Sequence, residues 1–213
     1  MNYNYNLKLY WYLSLIFSVL LVLSNTIADR LIVIGNVILP SAVIVFPVTY
    51  IIGDVVTELW GYKYMQRLIV ISLILNCVFI IIGKFAVSLP APSNAENLLA
   101  YSTVFGIVPR VAIASILGFF FGSIFNAYIM DILKNKGKHN KQLLFRMLSS
   151  TIVGEFIDTF LFIGIVFYRK MDIRTLFVMM FSQFLFKVIF ESLFSPVTIF
   201  AIKTFKKRIA VKV

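Results

Sequence analysis

Six ionisable residues sit inside stretches otherwise built of Ile, Val, Leu and Phe: Asp54, Glu58, Glu155, Asp158, Lys187 and Glu191. Arg110 stands at the mouth of another such stretch, and Asn126 lies within it. Asp54 and Glu58 are four apart, Glu155 and Asp158 three apart, and Lys187 and Glu191 four apart. On helices each pair therefore shares a face. Near a bilayer centre each unpaired charge costs about 2.5–3.5 kcal/mol, so six would cost on the order of 15–20 kcal/mol. Either they pair, or they line a cavity filled by water or ligand. Five carboxylates against two cations, Lys187 and Arg110, cannot neutralise one another in any ion-pair network. At least some acids are expected to hold a proton or to await a hydrogen-bond donor. That is the chemistry of binding and passage.

The elements that must hold these residues follow from composition. Of 213 residues 61% are hydrophobic, 16% aromatic and only 14% charged, against about 25% charged in a soluble domain. Six apolar runs approach the ~20 residues a span requires: Trp11 to Ala28, Pro40 to Gly61, Leu68 to Val87, Val108 to Ile132, Leu143 to Tyr168 and Thr175 to Ala201. The expected fold is an all-α integral membrane protein, one domain over 1–213, with six transmembrane helices. The first run is too long for a cleaved signal's core and reads as a retained helix.

Net charge is +11, which in a soluble protein would suggest nucleic acid. Here the basic residues gather between apolar runs, at Lys134, Lys136, Lys138, Lys141 and Arg146 and again at Lys203, Lys206, Lys207, Arg208 and Lys212. Such clusters set orientation and attract anionic lipid. Thirteen basic residues flank the side that holds both termini and six the other, which places both termini in the cytoplasm. Cys77 and His139 are each the sole residue of their type, so neither a metal site nor an intramolecular disulfide is expected. The longest connection, Ser88 to Thr103, contains Pro90, Pro92 and a Ser93-x-x-Glu96 capping box, the pattern of a turn followed by a short helix.

An internal echo suggests how the spans are organised. Thr49-Tyr50-Ile51-Ile52-Gly53-Asp54 and Ser150-Thr151-Ile152-Val153-Gly154-Glu155 lie 101 residues apart, and the same offset carries Asn25 onto Asn126. Three-helix halves of opposite orientation would form a 3+3 inverted repeat, the plan of many secondary transporters. Pro40 and Pro47 in the second run and Pro196 in the sixth would each remove a helical hydrogen bond, a break tolerated where protein or a cavity satisfies the freed groups.

The stretch Phe46-Pro47-Val48-Thr49-Tyr50-Ile51-Ile52-Gly53-Asp54-Val55-Val56-Thr57-Glu58-Leu59-Trp60-Gly61-Tyr62 resembles the signature of the YhhQ-like queuosine-precursor transporters, the vitamin-uptake-transporter group. Arg110 to Ser115 with Asn126, Ser149 to Gly154 with Asp158-Thr159, and Phe186-Lys187 with Pro196 are similar to the same family. Two positions depart from its pattern, Ser123 and Glu155 standing where an amide often follows glycine. The resemblance implies an inner-membrane importer of 7-deazaguanine bases, namely the 7-cyano base, the 7-aminomethyl base or queuine, working by alternating access without a cofactor. A carboxylate such as Asp158 or Glu155 would accept the base's adjacent N–H and NH₂ donors. Asp54, Glu58 or Glu191 would face the 7-substituent or carry a proton, and Arg110 and Lys187 would hold the remaining acids or the ring carbonyl. Tyr50, Trp60 and Phe190 are the stacking candidates.

Two other readings compete. One is the substrate-capturing membrane subunit of an energy-coupling-factor importer, for which Ser14 and Ser18 are the only small-residue pair along the first helix in the expected place. The other is an intramembrane enzyme, which needs an activated nucleophile or a metal. The spans hold no His, and Ser149 and Ser150 have no evident base. The expected partners are the small-molecule base and the bilayer, with self-association left open and no nucleic acid.

Overall fold

The computed structural model describes residues 3–28, 30–35, 37–92, 97–105, 109–136, 141–169 and 172–210. Helix α1 (Tyr3–Ile27) leads into a β-hairpin, β1 (Leu31–Ile34) and β2 (Val37–Pro40), and then a 3-10 turn over Ser41–Ile44. Six helices follow: α2 (Phe46–Trp60), α3 (Tyr62–Ser88), α4 (Leu98–Phe105), α5 (Pro109–Lys136), α6 (Lys141–Phe167) and α7 (Ile173–Ala210). Five of the seven helices, α1, α3, α5, α6 and α7, are long and apolar enough to cross a membrane. The chain is a helical, multi-pass membrane protein.

The second expected span is not one helix. Its N-terminal part is taken up by the last residue of β2 and the 3-10 turn, and α2 has only 15 residues, about 22 Å against a hydrocarbon core of about 30 Å. Four β-branched or leucine residues before and three after a connection opened by Gly35, in the left-handed region at φ 60°, favour pairing over helix. Leu31 opposes Pro40, and Ile34 opposes Val37. Pro47 lies in the first turn of α2, where the lost N–H has no helical partner to forfeit. Pro196 does lie inside α7. The carbonyl of Ser192, four residues back, is instead capped by the Ser195 hydroxyl at 2.8 Å.

A single residue, Gly61, joins α2 to α3 at φ 90°, a conformation strained for any residue with a Cβ. At the start of α7, Asp172 accepts the Thr175 N–H at 2.9 Å. The Thr175 side chain and backbone hydrogen bonds hold its carboxyl below the usual carboxylate range. Helix α4 forms the short helix expected after the prolines, its Phe105 ring lying against Gly83 of α3; residues 93–96, where the capping box falls, are outside the described part. Helix α7 runs past Ala201 into the basic tail, about 57 Å in all.

The bundle is inverted relative to a soluble protein. Along α7 the buried stripe reads Gln183, Lys187, Glu191, Ser195 and Thr198, while Leu185, Ile189, Leu193, Val197 and Phe200 are exposed to the surroundings. Helices α5 and α6 make the closest crossing. A Cβ at Gly122 would lie 2.7 Å from the Gly154 carbonyl and from Asp158 Cβ, and one at Gly118 would lie 2.9 Å from the Asp158 carbonyl. Gly118 and Gly122 are four apart, the small-xxx-small spacing that lets helix backbones meet in lipid. The echoing segments have different surroundings: a Cβ on Gly53 would meet Met65 of α3 at 3.0 Å, whereas Gly154 faces α5 and Tyr50.

Replacing Gly122 by Leu is expected to overpack this crossing and cost about 1–3 kcal/mol or more. Gly164→Ala, whose Cβ would find Met180 at an ordinary 3.5 Å, is expected to be neutral or to stabilise by up to about 1 kcal/mol. Thermal unfolding of the detergent-purified variants checks both.

Candidate functional site

The α5–α6 crossing sets Asp158 and Glu155 on the side of α6 that meets α7. There Lys187 Nζ lies 2.5 Å from Asp158 Oδ2 and 2.7 Å from Glu155 Oε2, with all three side chains no more than 5% exposed. The ammonium also sits 5.0 Å from the centre of the Phe46 ring, a favourable place for a desolvated cation. Lys187 therefore bridges two acids of another helix, not Glu191 one turn along its own. Thr151 of α6 donates its hydroxyl to Glu191 Oε1.

Helix α2 brings the other two acids. Asp54 Oδ1 accepts a long hydrogen bond from Asn126 Nδ2 of α5 at 3.4 Å, and the Asp54 side chain interacts directly with that of Glu191. Glu58, one turn further on, forms a separate knot at the end of α2. Its Oε1 lies 2.5 Å from Lys206 Nζ of α7 and 3.4 Å from Arg146 Nη2 of α6, and its backbone carbonyl accepts from Lys134 of α5 at 2.7 Å. Five carboxyl groups thus form a column: Asp158 and Glu155 on Lys187, then Glu191 and Asp54 on each other, then Glu58 under three basic residues of three helices.

Asp54, Glu58, Asn126, Glu155, Asp158, Lys187 and Glu191 are all buried and all belong to this column. The side chain of Arg110, at the start of α5, lies outside the described part. Of the aromatic candidates only Tyr50 reaches the column, its ring against Gly154 and edge-on to Phe119, with centroids 6.4 Å apart. Trp60 packs edge-on against Tyr10, and Phe190 stacks on Phe194 and Phe186 along α7. Arg146 and Lys206, read from sequence as orientation charges, are instead partners of Glu58. Continuing the face of α6 back from Asp158 through Glu155, Thr151 and Ser150 leads to Arg146, a signal present in the spacing.

Several buried acceptors have no donor among the described residues: Glu155 Oε1, Asp54 Oδ2, Glu191 Oε2 and Asn126 Oδ1. An unfilled acceptor in a dry interior costs about 1–3 kcal/mol, more when charged. Such atoms suit a ligand rich in donors. No group of three or more His, Cys, Asp or Glu placed to hold a metal ion occurs among the described residues.

A multi-pass helical bundle that turns carboxyl groups, a lysine and amides inward and apolar side chains outward defines the class of membrane transporters. Residues 40–201 match the family described as "Putative vitamin uptake transporter", and the chain belongs to that family. The matched region contains the whole column except Lys206. A relative from Bacillus subtilis strain 168 named "Probable queuosine precursor transporter" is 29% identical over 116 residues. That alignment covers 54% of this chain and 50% of the relative, so about half of each protein is compared. No solved structure matches the chain.

Lys187→Met would leave Glu155 and Asp158 without their cation and is expected to destabilise the protein by about 3–5 kcal/mol. Adding Asp158→Asn and Glu155→Gln should recover most of that loss in the same thermal-unfolding measurement. At the other end of the column, Lys206, whose side chain is 49% exposed, should contribute at most about 1 kcal/mol. Arg146→Met should cost more than Lys206→Met, because the Arg146 side chain is only 10% exposed.

Proposed function

We propose that this chain imports 7-deazaguanine bases, the precursors of the modified tRNA nucleoside queuosine, across the bacterial inner membrane by alternating access. The observation that carries the reading is Glu155: a buried carboxyl held at one oxygen by Lys187 while Oε1 has no donor among the described residues. The Watson–Crick edge of a deazaguanine offers a ring N–H beside an exocyclic NH₂, a donor pair that a carboxylate accepts in two parallel bonds. Lys187 and Asp158, adjoining it, supply a cation for the ring carbonyl and a further acceptor. Tyr50 offers a flat face next to them. The family membership and the name carried by the Bacillus subtilis relative support the same substrate class.

Both termini face the cytoplasm in this proposal, which sets the Glu58 knot on the inner side and Asp158 nearer the outer side. The broken second span, with its 3-10 turn and short α2, completes six crossings and carries Asp54 and Glu58 to membrane depth. The base enters from outside, is held at Glu155 and Asp158, and leaves when Glu58 parts from Arg146 and Lys206. Rocking of the helix groups against each other exposes the site to each side in turn.

The test uses a bacterial strain unable to make the base, expressing this chain and fed each 7-deazaguanine separately, with queuosine in tRNA as the readout. Wild type is expected to restore the modification with at least one base. Glu155→Gln and Asp158→Asn, verified to be inserted, should each lower it about tenfold or more, the loss of one charge-assisted hydrogen bond. Undiminished modification in both variants would exclude these acids as the base-accepting groups. Uptake by the purified chain alone in vesicles separates this reading from a capture subunit that needs an energy-coupling partner.

A further inference from the structure

The acids of the column divide by what they touch. Asp158 and Glu155 share Lys187, and Glu58 has Arg146 and Lys206. Among the described residues no cation pairs with Asp54 or Glu191. Their donors are neutral, Asn126 for one and Thr151 for the other, and each fills a single oxygen. The second oxygens, Asp54 Oδ2 and Glu191 Oε2, are buried and accept from no N–H or O–H among the described residues, and the two side chains interact directly. Two neighbouring carboxylates are both acceptors, so a pair this deeply buried, with one neutral donor each, is satisfied only when one proton lies between them. Asn126, a residue 4% exposed, adds an independent pointer, because its carbonyl Oδ1 is buried and has no donor among the described residues.

From these contacts we infer that the Asp54–Glu191 pair is a proton-binding site, which takes up one proton with the transported base and gives it up on the cytoplasmic side. The pair changes from two negative charges to one, and no other bond is made or broken. Its surroundings favour that exchange. Glu58 lies one turn along α2 and Glu155 one turn along α6 from Thr151, and both carry like charge toward the pair. Lys187, from one turn earlier on α7, is occupied by Glu155 and Asp158. Tyr50 stands on the near side and Asn126 supplies the contact from α5. Helices α1 and α3, which also pack on α2, keep Lys8, Lys63, Arg67 and Lys84 exposed. The two helices that hold the shared proton, α2 and α7, also hold Glu58 and Lys206, so occupancy of the pair is placed to act on the knot.

The coupling part of this inference rests on the transport reading above, whereas the shared proton rests on the burial and the donors of the two acids, and the experiment separates them. Infrared spectra of the purified protein at neutral pH are expected to show the carbonyl band of a protonated carboxylic acid, sensitive to deuterium exchange. Asp54→Asn and Glu191→Gln should each remove one carboxyl's worth of it. Thr151→Val keeps both acids and removes a donor that favours the charged Glu191, so the band should persist to higher pH. In vesicles, uptake of 7-cyano-7-deazaguanine, 7-aminomethyl-7-deazaguanine or queuine by wild type should rise several-fold with an inward proton gradient, and the Asp54→Asn and Glu191→Gln proteins should lose that response. An unchanged band in both substitutions, or wild-type uptake indifferent to the gradient, would overturn the inference. A wild type with the band that moves none of the three bases would overturn the substrate reading and uphold the proton site.

Discussion

The ammonium of Lys187 lies between two carboxylates at a depth where none of the three could persist alone, and most of the bundle's architecture serves to keep it there. The lysine comes from α7 and both acids from α6, so the interaction fixes the rotation of one helix about its axis against the other. Asp158 also lies directly against α5, where Gly118 and Gly122 leave room for it, and Gly154 completes the close approach of the two helices. Lipid supplies no hydrophobic force between helices, so this contact depends on close packing and on polar bonds whose alternative is an unsatisfied group in hydrocarbon. The inward charge and the missing side chains are two halves of one arrangement.

Much of this was legible before any coordinates. The apolar runs located five spanning helices, and the isolated acids within them marked the interior, because a charge in such a run has no neutral explanation. What the spacing could not give was partnership. Pairs at i and i+4 are natural neighbours on a helix, but Lys187 reaches Asp158 and Glu155 across an interface, at distances set by helix rotation that a linear pattern does not encode. Asn126 was singled out by its position in an apolar run, and it does reach Asp54.

Two features were written in the sequence and outweighed by hydropathy. Leu31-Ile32-Val33-Ile34 and Val37-Ile38-Leu39 flank Gly35-Asn36, a β-hairpin pattern, but the run beginning at Pro40 reads as a continuous membrane segment. The spacing of Gly118 and Gly122 was equally available. Arg146 and Lys206 illustrate a different difficulty. Their clusters look like surface charge, and within those clusters Arg146, Lys206 and also Lys134 turn to Glu58, a role that depends on how far α5, α6 and α7 extend beyond the apolar stretch.

Gly61 gives the short second helix a mechanical character. With one residue between them, α2 and α3 have no slack, so α2 cannot slide along its own axis while α3 stays in place. It can only swing, with the glycine as fulcrum. A swing of about 10° leaves the end bearing Glu58 nearly still and carries the far end, some 20 Å away, by about 4 Å. The hairpin, attached at that far end, is the tip of the lever, where any swing of α2 about Gly61 becomes its largest displacement.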